Sequence, residues 1–375
     1  MTVRSWTFST NIYASKDALL RLTRFAGERI VIVCDPFLKG TSGLAYVLDL
    51  LQNNNHVAIY SNVVPDPPIE AVADGVNFMK QEQPDIVIAI GGGSAIDLAK
   101  AVLYFYRKVN SKPIKNMTVI PTTSGTGSEV TSFAVITDTV SKVKYPLLDD
   151  SLLPDEAILT PLFVKTAPPK VTAYSGMDVL VHAIEALVST GADSFTDALA
   201  EKAIEYVFTY LPRCYVKSAG EEDRMRMHEA SCMAGLAFNK AGLGITHALA
   251  HQLGALYHIP HGLANAMLLS RVIAFNALRS GQALKKYADI AKKMHFCVST
   301  VEDKEALIAL IKQIMTLART LDCPLTVKEA TGRSSEETRQ DISLMAERAI
   351  KDRTYSTNPY PATVDDLAQL LLTVM

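Results

Sequence analysis

The sequence predicts a two-domain protein: an α/β domain with a parallel sheet over residues 1–170, then an all-α domain over 171–375. Three observations lead there. Through the first 140 residues short β-branched runs alternate with helical stretches, the pattern of strand–helix–strand units whose helices cover both faces of a parallel sheet. From about residue 171 those runs vanish and helical periodicity takes over. Between the two regions, "TPLFVKTAPPKVT" (160–172) carries Pro168-Pro169, which a continuous helix does not tolerate.

Taken in order, "RIVIVCD" (29–35), "HVAIYSNV" (56–63), "DIVIAIGGGS" (85–94), "MTVIPTTSG" (117–125) and "FAVITD" (133–138) read as the strands of the sheet. Helical patterns then cover 172–189, 196–210, 221–238, 243–257, 262–277, 282–294, 303–320 and 337–351, with no internal repeat or low-complexity tract. A chain of 375 residues, 49% hydrophobic and 20% charged, has the composition of a globular protein and exceeds the size at which one core stops growing.

The formal charge of -2, from 37 basic and 39 acidic residues mixed along the chain, leaves no basic footprint for nucleic acid or anionic lipid. Five scattered cysteines, none in a CxxC pair, argue against a disulfide framework and a thiolate zinc site. The N-terminal stretch lacks the apolar core of a secretory signal, and no apolar run reaches the roughly 18 residues of a membrane span. The expected setting is the cytoplasm, without membrane or nucleic-acid partners.

In "IVIAIGGGSAIDLAK" (86–100), three glycines join an apolar strand to a helix. Such a turn lets backbone approach a ligand, and the free N–H groups of the helix start attract phosphate oxygens; the alternative is a tight turn and nothing more. A second loop of small and hydroxyl residues, "PTTSGTGSE" (121–129), follows the next strand and falls on the same carboxyl edge of the sheet, where such sheets bind ligands. Neither loop matches GxxxxGK[ST] or GxGxxG, so the pair points to an extended diphosphate ligand outside those two motifs. Asp35 ends the first predicted strand. Either its carboxylate accepts ribose hydroxyls, favouring NAD over NADP, or it caps the turn that follows.

In "SGMDVLVHAIEALVS" (175–189), Asp178, His182 and Glu185 share one face of a helix that is apolar elsewhere and so buried. Asp178 could instead complete an N-terminal cap with Ser175. "ITHALAHQLGALYHIPH" (245–261) holds four of the eight histidines: His247 and His251 stand one turn apart among small residues, and Pro260 ends or bends the helix before His261. His258 reads as a satisfied core residue. One carboxylate and three imidazoles, from Asp178, His182, His247 and His261, form a donor set for Fe(II), Zn(II), Mn(II) or Co(II). "HALAH" lacks the glutamate of HExxH, which excludes that class of zinc protease.

"IGGGSAIDLAK", "PTTSGTGSEVT", "GMDVLVHAIEA" and "AGLGITHALAHQLGALYHIPHGLANAML" together resemble the iron-dependent (group III) alcohol dehydrogenase family over nearly the whole chain. The resemblance implies an N-terminal NAD-binding domain, a C-terminal helical metal-binding domain and a cleft between them. It implies metal ligation by Asp178, His182, His247 and His261, with His251 nearby but not a ligand. NAD contacts carry over to Asp35, Gly92, Gly93, Ser94, Asp97, Thr122, Thr123, Thr126, Thr131 and Lys144, and Phe238 matches a side chain lining the alcohol pocket. Asp66 and Tyr360 depart from residues common in relatives, and the segment around Tyr360 is given no role.

The implied activity interconverts short-chain aldehydes, such as propanal, and primary alcohols with NADH and NAD, Fe(II) being the expected metal. His251 is the expected proton relay, or else a wall of the pocket. A homodimer, and association with the enzymes of a bacterial microcompartment, follow from the resemblance alone. The rival readings are a glycerol dehydrogenase-like polyol oxidoreductase, dehydroquinate synthase, a metal-dependent hydrolase and a nucleotide sensor.

Overall fold

The computed structural model describes residues 6–139, 143–216 and 219–375, leaving the side chains of Val143, Lys144 and Ser335 outside the description. The chain divides into two compact units, Met1–Ala167 and Pro168–Met375.

The first unit is built on a six-stranded, wholly parallel sheet of β1 (Asn11–Ala14), β2 (Arg29–Cys34), β3 (His56–Tyr60), β4 (Ile86–Gly91), β5 (Asn116–Pro121) and β8 (Glu156–Leu159), in the order β1-β8-β5-β4-β2-β3. Alternation along the central strands divides their side chains between two cores. Val31, Val33, Val87, Ala89, Met117 and Val119 face α2 (Ile69–Glu82) and α3 (Gly93–Val109). Ile30, Ile32, Ile86, Ile88, Ile90 and Ile120 face α1 (Ser42–Leu51) and Phe163, which lies on the short α4 (Pro161–Val164). Because both faces are covered, these strands are near-continuous apolar runs, broken at Arg29 in β2 and at Asn116 and Thr118 in β5, which is why they stood out in the sequence.

One expected strand belongs elsewhere. β6 (Phe133–Asp138) does not join the parallel sheet; it pairs antiparallel with β7 (Val143–Leu148) in a separate two-stranded ribbon. Its alternation of buried and half-buried residues suits a ribbon with one covered face. The strands β1, β7 and β8 gave no signal because two are only four residues long and the third carries Pro146.

The second unit packs α5 (Pro169–Val188), α6 (Ser194–Tyr215), α7 (Glu221–Ala241), α8 (Ile245–Tyr257), α9 (His261–Arg279), α10 (Gly281–Lys293) and α11 (Asp303–Thr320), followed by shorter helices ending with Val364–Leu372. The helix expected over 337–351 is two, Ser335–Arg339 and Ile342–Ala349. α5 is long and apolar enough by composition to cross a membrane, but Asp178, His182 and Glu185 interrupt it and 83% of its apolar window is buried inside the fold. It is a core helix, and its polar stripe is buried with it.

Candidate functional site

The sheet order reverses at β2, with β3 on one side and β4 on the other, so a crevice opens beyond the carboxyl ends of β2 and β4. That is where open α/β sheets bind ligands. Asp35 follows β2 there, and its Oδ2 accepts the Gly92 N–H at 3.0 Å. It makes no side-chain cap to the turn it precedes, so the capping alternative falls. Burial raises its pKa, opposed by the Gly92 hydrogen bond.

α3 begins at Gly93 without a side-chain cap, leaving first-turn N–H groups for an anion. The second loop lies against the first: the Thr122 N–H donates to the Gly91 carbonyl at 2.9 Å. Gly93 allows this approach, since a Cβ there would stand 2.8 Å from Thr126 Cγ2. Gly92, Gly93, Ser94, Thr123 and Thr126 remain partly exposed, whereas Thr122 and Thr131 are buried.

Two of the expected cofactor contacts are engaged within the fold. Asp97 Oδ1 accepts from Ser128 Oγ at 2.7 Å and Oδ2 from the Val135 N–H at 3.0 Å. Thr131 Oγ1 and its carbonyl accept from the buried Lys100 Nζ, which also donates to Ser128 Oγ and the Phe133 carbonyl. Burial lowers the Lys100 pKa to about 8 against the pull of Asp97 and Glu129, and raises the buried Glu129 to about 7. The sequence reading missed this ionic network, which ties α3 to the segment 128–135. Lys144 lies on β7 opposite Thr137, and its side chain is outside the described residues.

In the second unit, Asp178, His247 and His261 converge: each offers a donor atom within 4.8 Å of the others. Asp178 Oδ1 is 3.8 Å from His247 Nε2 and 3.6 Å from His261 Nε2. Ligands at about 2.0–2.2 Å from a tetrahedral ion lie roughly 3.3–3.6 Å apart, so this spacing fits a divalent transition metal after slight contraction. Asp178 sits in the third turn of α5, which begins at Pro169, so it is no capping residue. Burial pushes its pKa up, but His182, His261, His247 and the Asn265 hydrogen bond outweigh that and hold it below the ordinary value. His247 is held well below its ordinary value, first by burial and then by the neighbouring imidazoles, so it is neutral, as a ligand must be.

The partners of these groups set their orientation. Glu185, two turns from Asp178, meets His247 Nδ1 through Oε2 at 2.6 Å and accepts the Thr246 N–H through Oε1 at 2.7 Å. With Nδ1 carrying the proton to Glu185, Nε2 presents its lone pair to the cluster. α8 has no side-chain cap of its own at Gly244; besides Glu185, Asn358 Oδ1 serves it, accepting the Ile245 N–H at 3.3 Å. Thr357 Oγ1 donates to the Leu243 carbonyl at 2.7 Å. The C-terminal segment that had no expected role therefore holds the start of the helix carrying His247.

His182 stands beside the cluster rather than in it. Its ring stacks on His247 (centroids 4.7 Å, 18° between planes) and on Phe238 (4.4 Å, 24°), and its Nδ1 is buried without a hydrogen-bond partner. Phe238 is itself buried against that ring. His251 Nδ1 meets Asp352 Oδ2 at 2.7 Å, and its ring stacks on His261 at 5.4 Å. Asp352 is shifted down to about 2, burial being outweighed by the hydrogen bond and charge of His251 and the bonds from Thr354. His258 is not a core residue: it is exposed, with φ 55°, ending α8 in a left-handed turn before Pro260 and α9. A left-handed residue at this position is a common way for a helix to end.

His261 reaches the cluster because α9 starts against α5. A Cβ on Gly262 would stand 2.0 Å from the Tyr174 carbonyl oxygen and 3.2 Å from Asp178 Cβ, so only glycine permits this approach.

Known proteins resemble this chain over nearly its whole length. The family described as "Iron-containing alcohol dehydrogenase" matches residues 9–161, and "Fe-containing alcohol dehydrogenase family, C-terminal" matches 172–375. The chain is 46% identical over 369 residues to the 1-propanol dehydrogenase PduQ of Citrobacter freundii, covering 98% of this chain and 99% of that one. It is 39% identical to the NADPH-dependent butanol dehydrogenase of Clostridium saccharobutylicum, covering 97% and 96%. The iron-containing alcohol dehydrogenase structure from Thermococcus thioreducens superposes with a TM-score of 0.89 at 32% identity, covering 99% of each chain. A hydrolase, a nucleotide sensor and a polyol-specific relative are thereby set aside. The chain belongs to the iron-containing alcohol dehydrogenase family and is an oxidoreductase acting on alcohols and aldehydes.

Proposed function

We propose that this enzyme reduces short-chain aldehydes such as propanal to primary alcohols: aldehyde, NADH and a proton give alcohol and NAD. The convergence of Asp178 Oδ1, His247 Nε2 and His261 Nε2 carries the reading. With His182 turned in from its stack as a fourth donor, this set suits Fe(II), and Zn(II), Mn(II) or Co(II) satisfy the same donors. A bound divalent ion supplies Lewis-acid polarisation of the substrate oxygen.

The chain's own residues do the rest. Glu185 keeps the His247 Nδ1 proton in place and so aims Nε2 inward. Asp352 fixes His251 through Nδ1, leaving Nε2 to hold a proton and deliver it to the nascent alcohol oxygen. Phe238 presents an apolar face beside His182 that suits a short alkyl substrate. At the crevice, the α3 N-terminus and the 121–129 loop would bind the diphosphate through Gly92, Gly93, Ser94, Thr123 and Thr126, with Thr122 and Lys144 completing the proposed contacts, while Asp97 and Thr131 act from within the fold by bracing that loop. Asp35 repels a 2′-phosphate and so selects NAD.

The 1-propanol dehydrogenase relatives support the substrate class. The same proposal includes a homodimer in the cytoplasm, alongside enzymes of a bacterial microcompartment. The test is anaerobic purification, addition of Fe(II), propanal and NADH, and measurement of nicotinamide absorbance. Stoichiometric NADH oxidation that needs both metal and aldehyde is expected; no oxidation across several short aldehydes with NADH or NADPH refutes the proposal.

A further inference from the structure

Three lone-pair donors, Asp178 Oδ1, His247 Nε2 and His261 Nε2, face one another within 4.8 Å, two of them on buried residues. Convergence of this kind is costly in the absence of a positive group, because lone pairs repel and desolvated acceptors lack partners. One side chain meets all three. Asn265, fully buried on the second turn of α9, places Nδ2 at 2.7 Å from Asp178 Oδ1, 3.1 Å from His247 Nε2 and 3.2 Å from His261 Nε2.

The orientation of the amide follows from its surroundings. Asn265 Oδ1 is buried without a hydrogen-bond partner, and turning the amide over would aim that oxygen at a carboxylate and two imidazole lone pairs. The fold thus accepts one unsatisfied carbonyl oxygen to keep an N–H donor on the three acceptors. An imidazole Nε2 has a single lone pair, so the contacts with His247 and His261 give way when a cation takes those lone pairs. A carboxylate oxygen has more than one, so Asp178 Oδ1 can keep its bond to Asn265 while it ligates.

We propose that Asn265 is a positioning residue of the metal centre: its amide N–H anchors Asp178 Oδ1 and holds the three donors converged before the ion arrives. The inference rests on the metal-binding reading above, and it assigns to α9 a second contribution besides His261. Hydrogen-bonding groups behind metal ligands typically account for ten- to hundredfold in affinity.

The experiment is a Co(II) titration of the full-length apoprotein, followed by the visible absorption of bound Co(II) and by thermal melting with and without the metal. Asn265→Leu, similar in volume but without a donor, should weaken Co(II) binding about ten- to hundredfold and alter the visible bands. Asn265→Ser, small enough to fold in the same space but too short to reach the three atoms, should lose at least about tenfold, and it decides the matter if the leucine variant does not fold. Affinity within twofold of the parent, with unchanged bands, overturns the inference. So does an equal drop in the melting midpoints of apo and Co(II)-loaded protein with unchanged affinity, which marks a purely structural residue. A parent protein that binds no Co(II) or Fe(II) refutes the metal-binding reading itself, a result distinct from either.

Discussion

Replacing Gly262 with alanine should separate α9 from α5 and dismantle the metal centre. The added Cβ would lie 2.0 Å from the Tyr174 carbonyl oxygen. Ordinary carbon–oxygen contacts run from about 3.3 Å, so the two helices must part by roughly 1.3 Å at this point. The obstacle is backbone, which cannot rotate aside as a side chain can. His261 is the neighbouring residue and Asn265 lies one turn on, so both donors ride with the displaced helix start. Metal sites tolerate errors of about 0.2 Å in ligand distance, several times less than this displacement. Metal affinity should therefore fall at least tenfold, or about 1.4 kcal/mol. Overpacking of this kind also costs about 1–3 kcal/mol of stability, which lowers the melting midpoint by about 2–12 °C in a domain of this size. Metal content after anaerobic dialysis, a Co(II) titration and a thermal melt measure these effects. A Gly262→Ala protein that retains parent affinity and melts within a degree of the parent refutes the reasoning.

Other substitutions probe the remaining parts. His251→Gln should cut turnover while metal content stays at the parent level, because His251 is held by Asp352 beside the cluster rather than in it; unchanged turnover and pH profile remove its role as a proton relay. Asp35→Ser should move the ratio of kcat/KM for NADH over NADPH at least tenfold toward NADPH, about 1.4 kcal/mol, by removing the charge at the end of β2; an unchanged ratio rejects Asp35 as the selector. Glu129 has a folded pKa raised from 4.5 to about 7 by burial. Between those values the folded state binds more protons than the unfolded one, so stability is full below about pH 4.5 and falls as pH rises through about 7, by up to about 3 kcal/mol in denaturant titrations. Glu129→Gln should flatten that slope, and an equally steep slope in the variant contradicts the assignment.

Regular periodicity made much of this protein legible in one dimension. The central strands were visible because burial on both faces makes them continuous apolar runs, and α5 because Asp178, His182 and Glu185 interrupt an otherwise apolar helix at helical spacing. The histidine-rich stretch marked α8 and the start of α9 as carriers of donor atoms. Short or ribbon-forming strands such as β8 and β6 were missed or misplaced because four residues, or a half-buried alternation, do not say which neighbour they pair with.

By itself, then, the sequence determined which residue types could ligate, on which helices they lie, and that two small-residue loops follow neighbouring strands. Only the tertiary structure decided that Asp178, His247 and His261 meet while His182 stacks alongside, that Glu185 orients His247 from 62 residues away and Asn265 holds Asp178 from 87, that Asn358 caps α8 at Ile245 from 113, and that Asp352 holds His251 from 101. Hydrogen bonds and close approaches between distant segments leave no periodic trace. They depend on how closely one backbone can pass another, as Gly262 passes Tyr174, and that distance exists only once the helices have packed.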